Sequence, residues 1–361
     1  MAAREFRFEN VRLLLADTNG QVRYGLKGSL FHEGFRDIID TASYVAVQDA
    51  VARNVVDVVV MDVDLPGGDV CELVHQMRHH KVGNNPFVIS ILLTSDPTQD
   101  LVRRMVDSGA DDLVVKPVSP DGLIQRLKTL TRGRKPFVVT HDYIGPDRRK
   151  GQREGSEVIP MMEVPNPLRS KAIANSDGGS LQRMIDAAAS RINQQKMERY
   201  SVQIGYLAER IGPFFVNGRP KARKGPEFDE VVAHIEKLRY IGEDLGHRMR
   251  GTVYAHVSEL ALSLIGIAER IRASIEIGQQ NTQGNPGCGF VDHRDVELLP
   301  KIALALDRAF SADKTTAEAA HKISEQVRDH MGQKITAPDP TATASSSTSP
   351  FASSRPRVAL G

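Results

Sequence analysis

The sequence predicts an α/β domain with a doubly wound, five-stranded parallel sheet, followed by an all-α helical bundle. Up to residue 130, short runs rich in Val, Ile and Leu alternate with longer amphipathic stretches. Such near-continuous apolar runs are typical of parallel strands that are buried on both faces. From Leu181 onward, apolar residues recur at helical spacing without strand-like runs between them. This second pattern indicates helices that pack against one another.

Five apolar runs predict the five strands, of which the second is the weakest. They cover residues 11–15, 37–39, 57–61, 87–93 and 113–115. Between the strands, apolar side chains repeat at helical intervals, as in Val70, Leu73, Val74 and Met77. The alternation over about 120 residues predicts five βα units with right-handed crossovers.

The chain is expected to divide into four parts. The α/β domain covers residues 10–131, an irregular, basic and Pro-rich linker 132–180, the helical bundle 181–331, and a tail that is disordered by composition 332–361. Within the linker, residues 137–140 could form a short strand. In the bundle, an apolar stripe over residues 228–271 is too long for one ordinary helix. We therefore expect a break or kink near Gly242, Gly246 or Gly251.

The composition fits a globular protein outside the membrane. Hydrophobic residues make up 40% and charged residues 25% of the 361 residues. The longest nearly uncharged apolar run, residues 260–268, is far shorter than the roughly 20 residues of a membrane span. Charged residues precede the first apolar stretch, which argues against a signal peptide, and two cysteines are too few for a disulfide framework. We expect no membrane span and a cytoplasmic location.

Charge alone does not indicate nucleic-acid binding. Residues 132–153 contain seven Lys or Arg and two Asp, an excess of five positive charges. Such a run can contact phosphates, but a solvated linker is the commoner explanation, and no compact helix-turn-helix pattern follows it. A nucleic-acid partner is therefore not expected.

Chemically active side chains follow four of the predicted strands. Asp17 follows the first and Asp62 the third, with Asp64 two residues later, while Thr94 follows the fourth and Lys116-Pro117 the fifth. In doubly wound sheets, ligand sites form at the carboxyl ends of the strands. Carboxylates can hold Mg²⁺, an Asp can form an acyl phosphate, and a lysine and a hydroxyl can bind phosphoryl oxygens. The pattern predicts a phosphoryl-transfer site.

Residues 10–131 resemble the receiver domains of bacterial two-component response regulators, the CheY-like family. Residues 57–67, which read DVVVMDVDLPG, and 109–117, which read GADDLVVKP, carry the resemblance together with Thr94. It implies a flavodoxin-like sheet of strand order 2-1-3-4-5. It also implies that Asp62 is the phosphoacceptor, Thr94 the switch hydroxyl and Lys116 the phosphate-binding lysine. The implied Mg²⁺ ligands are Asp17, Asp62 and the backbone carbonyl of Asp64.

Two positions depart from the family pattern. The family usually has two adjacent acids after the first strand, and here the pair reads Asp17-Thr18. We therefore expect weak Mg²⁺ binding. Leu113 stands where the family typically has an aromatic residue whose ring moves with the switch hydroxyl.

The resemblance implies a response regulator in a phosphorelay, not an enzyme in the metabolic sense. A histidine kinase or phosphotransfer protein would phosphorylate Asp62, and the receiver would control the helical region. The face after the fourth and fifth strands is where the bundle, the linker or another protein would sense the change. One alternative is a pseudo-receiver scaffold or adaptor that needs no phosphorylation. Another is a phosphatase or phosphotransferase activity of the helical region, for which no specific residue pair stands out. A homodimer through the apolar stripe of residues 197–214 also stays open.

The histidines are assigned no chemistry. His79 and His80 are expected to be solvated, because they follow a predicted amphipathic helix and no third ligand is nearby. His234, His247 and His256 are expected to be ordinary helical residues.

Overall fold

A computed structural model describes residues 6–149, 159–173, 178–250, 252, 254–280 and 291–310. Its N-terminal part is the expected α/β domain with a five-stranded parallel sheet of order β2-β1-β3-β4-β5. The strands are β1 (Arg12–Ala16), β2 (Asp37–Thr41), β3 (Val58–Asp62), β4 (Ile89–Thr94) and β5 (Asp112–Val115). The helices are α1 (Gly20–Glu33), α2 (Tyr44–Ala52), α3 (Val70–Arg78), α4 (Gln99–Asp107) and α5 (Pro120–Arg132).

Helices cover both faces of this sheet. Leu13 and Leu15 of β1 pack with α1 and α5, whereas Leu14 and Ala16 pack with α2, α3 and α4. This alternation follows from the period-two geometry of a strand. Both faces of the sheet are thereby buried, as the continuous apolar runs predict.

The segment that we expected to be an irregular linker contains regular structure. It forms a three-stranded antiparallel sheet of order β7-β6-β8 and a short helix, with β6 at Phe137–Val139, β7 at Ile144–Pro146, β8 at Met161–Met162 and α6 at Pro167–Ala172. Leu168 of α6 is fully buried in the core of the α/β domain. The prolines do not interrupt these strands because each sheet strand is short and Pro146 stands at the end of an edge strand.

The C-terminal part is helical, as predicted. It contains α7 (Gly178–Ile211), α8 (Pro226–Met249), α9 (Ser258–Gln280) and α10 (His293–Phe310), with a small hairpin of β9 (Phe215–Val216) and β10 (Arg219–Pro220) after α7. The four helices share one buried core; α7 and α9 each pack against both α8 and α10. The stripe of residues 197–214 lies in this internal core.

The long apolar stripe of residues 228–271 is divided between two helices, and the interval between them contains Gly251, the third candidate glycine. Helix α8 ends at Met249 and α9 begins at Ser258. Gly242 lies inside α8, where a Cβ atom would stand 2.7 Å from Ile265 of α9. Its role is to let two helices approach closely rather than to end one.

Some sequence expectations fall outside the described residues. They include the part of the predicted helical bundle after residue 310 and the disordered tail of residues 332–361. Within the described ranges, no helix combines the length and apolar character needed to cross a membrane.

Candidate functional site

The four strand ends that carry the predicted site residues meet at one edge of the sheet. Strand β3 ends at Asp62 and β4 at Thr94, and the register pairs Asp62 with Leu93 and Thr94 with Val115. Asp17 directly follows β1, and Lys116 directly follows β5. Parallel register therefore gathers residues that are up to 99 positions apart in the sequence, since 116 − 17 = 99.

Lys116 links the two carboxylates of this site. Its Nζ lies 2.6 Å from Oδ2 of Asp62 and 2.7 Å from Oδ2 of Asp17, and both carboxylates are buried. Burial by itself lowers the pKa of Lys116, but hydrogen bonds to Asp17 and Asp62 outweigh it, and the pKa lies above its ordinary value. The peptide bond between Lys116 and Pro117 is cis. The site thus holds a charged lysine directly against Asp62.

Backbone amides fix the orientation of the two carboxylates. Oδ1 of Asp17 accepts a hydrogen bond of 2.8 Å from the amide of Asn19, the residue that caps α1. Oδ1 of Asp62 accepts a longer bond of 3.3 Å from the amide of Asp64. Each bond comes from the loop that follows the strand, so the backbone conformation of that loop fixes the orientation of the carboxylate.

The hydroxyl of Thr94 is held weakly at the next strand end. Its Oγ1 donates to the carbonyl of Asp96 at 3.3 Å and accepts from the amide of Asp96 at 3.2 Å. Both distances lie at the long end of the hydrogen-bond range. The Thr94 hydroxyl can therefore exchange these bonds for another acceptor at small energetic cost.

The donor set fits a hard divalent cation but supplies little charge. The carboxylates of Asp17 and Asp62 and the carbonyl of Asp64 are oxygen donors, which Mg²⁺ prefers. Thr18, where a second acid would stand, is exposed. In the described part of the chain, no three His, Cys, Asp or Glu side chains lie close enough together to hold a metal ion. Two carboxylates and a carbonyl can bind Mg²⁺, though with one anionic ligand fewer than a three-acid pocket.

Sequence reasoning did not identify Arg23 as a neighbour of the acidic pocket. Its Nη1 donates to the carbonyl of Asp17 at 2.6 Å, and its Nε lies 3.6 Å from Asp40. The guanidinium brings a positive charge beside Asp17, which further disfavours a cation there. No sequence signal identifies Arg23. The side chain of an arginine in the first turn of a helix can point to solvent or back over the preceding loop, and only its rotamer decides between them.

Leu113 and Cys71 lie behind the site. Leu113 is half-buried against the core under α2, α3 and α4, so its side chain is held by packing and not by a polar partner. Cys71 lies in the first turn of α3, and burial raises the pKa of its thiol to about 11. This thiol therefore stays protonated and unreactive near neutral pH.

The helical region does not attach at the face that we expected. Phe87, which precedes β4, packs in one cluster with Phe137 and Ile144 of the small sheet and with Leu181 and Ile185 of α7. The start of β4 is the end opposite to Thr94. The helices are therefore joined to the edge of the α/β domain that lies farthest from Asp62, not to the face after the fourth and fifth strands.

The expectation that His79 and His80 are solvated is wrong. His79 is 2% exposed, and its Nδ1 lies 3.3 Å from Nη2 of Arg248 in α8. Burial lowers the pKa of His79, and it lowers the pKa of His80 to about 4. Both rings are covered because α8 packs against the end of α3, a contact that joins residues 169 positions apart.

His79 belongs to a buried polar cluster that we call the joint. The joint consists of His79, Lys196, Tyr200, Asp244 and Arg248. Oδ2 of Asp244 accepts bonds from the Tyr200 hydroxyl at 2.7 Å and from Nε of Arg248 at 2.6 Å.

Lys196 of the joint connects α7 to the small sheet. Its Nζ donates to the carbonyls of Thr140 at 2.9 Å and His141 at 2.6 Å. Burial, with the nearby charge of Arg248 as a smaller contribution, lowers the pKa of Lys196 to about 7. At neutral pH the joint is therefore balanced between two protonation states of this lysine.

The bundle histidines occupy ordinary helical environments where they are described. His234 in α8 lies 3.8 Å from Glu230, one helical turn away. His247 borders a shallow cleft with Lys81 and Tyr240. The side chain of His256 lies outside the described residues.

Comparisons with known proteins agree with the geometry of the strand ends. Residues 13–128 match the family model of the response regulator receiver domain. Response regulator MprA of Mycobacterium sp. (strain KMS) is 32% identical over 126 residues, which cover 35% of this chain and 53% of that protein. MprA of Mycobacterium tuberculosis (strain ATCC 25618 / H37Rv) is 31% identical over 128 residues, with the same coverage of both chains. The chain thus spans about half the length of the curated relatives that it matches.

Solved structures resemble the same third of the chain. A CheY-like receiver domain protein from Methanospirillum hungatei JF-1 is 21% identical and covers 33% of this chain and 91% of its own, with a TM-score of 0.30. Chemotaxis protein CheY4 of Vibrio cholerae is also 21% identical and covers 33% of this chain and 97% of its own, with a TM-score of 0.30.

Proposed function

We propose that the response regulator receiver domain formed by residues 13–128 accepts a phosphoryl group on Asp62 and thereby controls the C-terminal helical region. The observation that carries the proposal is the contact of Lys116 with both Asp62 and Asp17 at adjoining strand ends, with the Thr94 hydroxyl at the next one. The chain would act as a signalling protein of a two-component system, with a histidine kinase or phosphotransfer protein as its donor.

The chemistry follows from the residues at the strand ends. A carboxylate oxygen of Asp62 attacks phosphorus of a phosphohistidine, the new O–P bond forms as the P–N bond breaks, and the leaving imidazole nitrogen takes up a proton from solvent. The ammonium of Lys116 lies where it can offset charge on the phosphoryl oxygens. The Thr94 hydroxyl gives up its long bond to Asp96 and donates to a phosphoryl oxygen.

Mg²⁺ would be held by Asp17, Asp62 and the carbonyl of Asp64. When bound, it would supply positive charge that lowers the repulsion between Asp62 and the incoming phosphoryl group. Because Thr18 stands in place of an acid, we propose that Mg²⁺ binding is weak.

Control of the helical region would run along α3. This helix begins at Val70, eight residues after Asp62, and its last residue, Arg78, directly precedes His79 of the joint. At its start, Asp69 caps the helix and forms an ion pair with Arg104 of α4. A shift of the loop after Asp62 therefore reaches the joint through one short, rigid element.

A pseudo-receiver scaffold is the second candidate. The observation that favours it is the combination of Thr18 with an Arg23 guanidinium beside Asp17, which together reduce the negative charge available to Mg²⁺. Such a protein would keep the fold and the joint but would not respond to phosphodonors.

Labelling with a small phosphodonor separates the two candidates. The full chain is incubated with acetyl phosphate and Mg²⁺, and modification is read by intact mass. We expect phosphorylation of the unaltered protein and of Asp64→Asn, which keeps the backbone carbonyl, but not of Asp62→Asn. Equal labelling of Asp62→Asn would refute the phosphoacceptor assignment. No labelling of any variant, together with no binding of BeF₃⁻, would favour the scaffold.

A further inference from the structure

A cleft lies at the end of the α/β domain that is opposite to Asp62. It is formed where the end of α5 and the start of β5 meet β7, and its volume is about 360 Å³. Its charged lining residues are Asp111, Asp112, Arg126, Lys135 and Arg148. Cavities of roughly 300 to 1,000 Å³ are typical of small-molecule sites.

Around Asp111, which lines the cleft, buried positive charge exceeds buried negative charge. The side chain of Asp111 is 1% exposed, and its carboxylate is bound by two guanidinium groups, Arg78 at 2.9 Å and Arg134 at 2.7 Å. The side chains of both arginines are also buried. Burial lowers the pKa of Arg78 to about 10, so it still carries its charge near neutral pH. One carboxylate therefore faces two buried cations, although buried charges are ordinarily paired.

Arg148 adds a third cation to the same place. Its Nη2 donates to the carbonyls of Ala110 at 2.7 Å and Asp111 at 3.2 Å. Its Nε is buried and has no hydrogen-bond partner among the described residues. A buried donor without an acceptor costs free energy, and an acceptor inside the cleft would satisfy it.

The remaining lining charges do not restore the balance. Asp112 is neutralised by Arg126 at 2.6 Å, and Lys135 at the rim is exposed. Carbonyls at the end of α5 would repel an anion, but those of Leu130 and Arg132 accept bonds from Asn166 and Arg169. Counting Arg126, Lys135 and Arg148 against the two aspartates gives the lining a net charge of 3 − 2 = +1, to which the buried Arg78 and Arg134 beside Asp111 add positive charge.

We infer that this cleft binds a small anionic ligand that carries a phosphate group. Guanidinium groups present pairs of N–H donors that match phosphate oxygens, and an ammonium at the rim adds a point charge. A phosphate dianion would supply the missing negative charge and the acceptor for Nε of Arg148. The site is separate from Asp62 and adds a ligand to the proposed function.

Phosphate titration tests the inference in a background that silences the strand-end site. The full-length Asp62→Asn protein without Mg²⁺ is titrated with inorganic phosphate and pyrophosphate at constant ionic strength, and binding is followed by calorimetry and phosphorus NMR. We expect saturable binding with a stoichiometry of one. Lys135→Gln removes a positive charge, and Arg148→Lys keeps the charge but removes the Nε donor, so each should weaken binding by about tenfold.

Arg149→Gln is the matched control. Arg149 is the exposed neighbour of Arg148 and pairs with Asp147, and it does not line the cleft. Its removal should leave the affinity unchanged. Absence of saturable binding, or equal weakening by Arg149→Gln and Lys135→Gln, would overturn the inference. Lys135→Gln decides the matter if Arg148→Lys disturbs folding, because Lys135 is exposed. None of these outcomes bears on phosphorylation of Asp62, which is measured separately.

Discussion

At the scale of single residues, we propose that Thr18 limits how strongly the acidic pocket attracts a cation. It follows Asp17 directly, and Arg23 lies on the other side of the Asp17 backbone. Lys116 already offsets charge on both carboxylates. The pocket thus places the proposed phosphoacceptor, Asp62, in surroundings of low negative charge.

Thr18→Asp should therefore tighten Mg²⁺ binding, by about tenfold, because it restores an anionic oxygen ligand. Isothermal titration of the full chain with MgCl₂ measures the change. Ser119→Asp is the control, since it adds the same charge at the cap of α5, where Asp is also an accepted capping residue. Unchanged or weaker affinity in Thr18→Asp would mean that residue 18 does not face the ion.

The residues of the site were easier to predict than their neighbours. Asp62 and Thr94 end apolar strands and Lys116 directly follows one, so the apolar pattern and the sheet topology together predicted that they lie at the same end of the sheet. His79 and Arg23 were missed because their surroundings depend on a remote helix and on a rotamer. The strand of residues 137–139 was foreseen, but the sheet around it was not, because two- and three-residue strands leave no periodic pattern.

At the scale of elements, the joint connects the end of α3 to α7 and α8. Protonation is unfavourable for His79 of the joint and for the two neighbouring histidines of α3 and its end. Burial lowers the pKa of His75, His79 and His80. The unfolded chain takes up protons below a pH of about 6.5, whereas these buried rings resist them. The stability that they contribute is therefore present above that pH and is lost as the pH falls.

His79→Gln should reduce the fall in melting temperature between pH 6.5 and pH 5. The loss in the unaltered protein is up to about 1.4 kcal/mol per pH unit for each such histidine. Lys196 adds nothing in this window. Its pKa is about 7 in the folded protein and above 10 in the unfolded chain, so below pH 6.5 the lysine is protonated in both states. His293→Gln is the control, as His293 is exposed in α10. Identical pH dependence of the two variants would contradict a buried, neutral His79.

At the scale of the whole molecule, the core of the α/β domain extends beyond the segment that matches the receiver-domain model. The match ends at residue 128, yet α6 lies in the same core, and Lys171 contacts buried Asp57 at 2.6 Å. Arg134 likewise binds Asp111. We therefore propose that the cooperative unit reaches residue 173, beyond the boundary predicted at residue 131.

Leu168→Ala should destabilise the sheet of the α/β domain by about 2–5 kcal/mol, as expected for a fully buried leucine. Hydrogen exchange of the β1 and β3 amides measures it locally, which avoids assuming one transition for the whole chain. Ile173→Ala, five residues later and 52% exposed, should have little effect. Similar exchange in both variants would show that α6 is an accessory element.

The opposite placement of Asp62 and the joint limits how a phosphoryl group can be sensed. Helix α3 has nine residues and spans about 13 Å at roughly 1.5 Å per residue. The Debye length at physiological ionic strength is about 8 Å, so solvent ions screen much of the new charge before it reaches α8. The helical region would then respond to a displacement of packed atoms and hardly to the electric field of the phosphate. Salt should change the rate at which the donor arrives and leave the coupling between the two ends nearly constant.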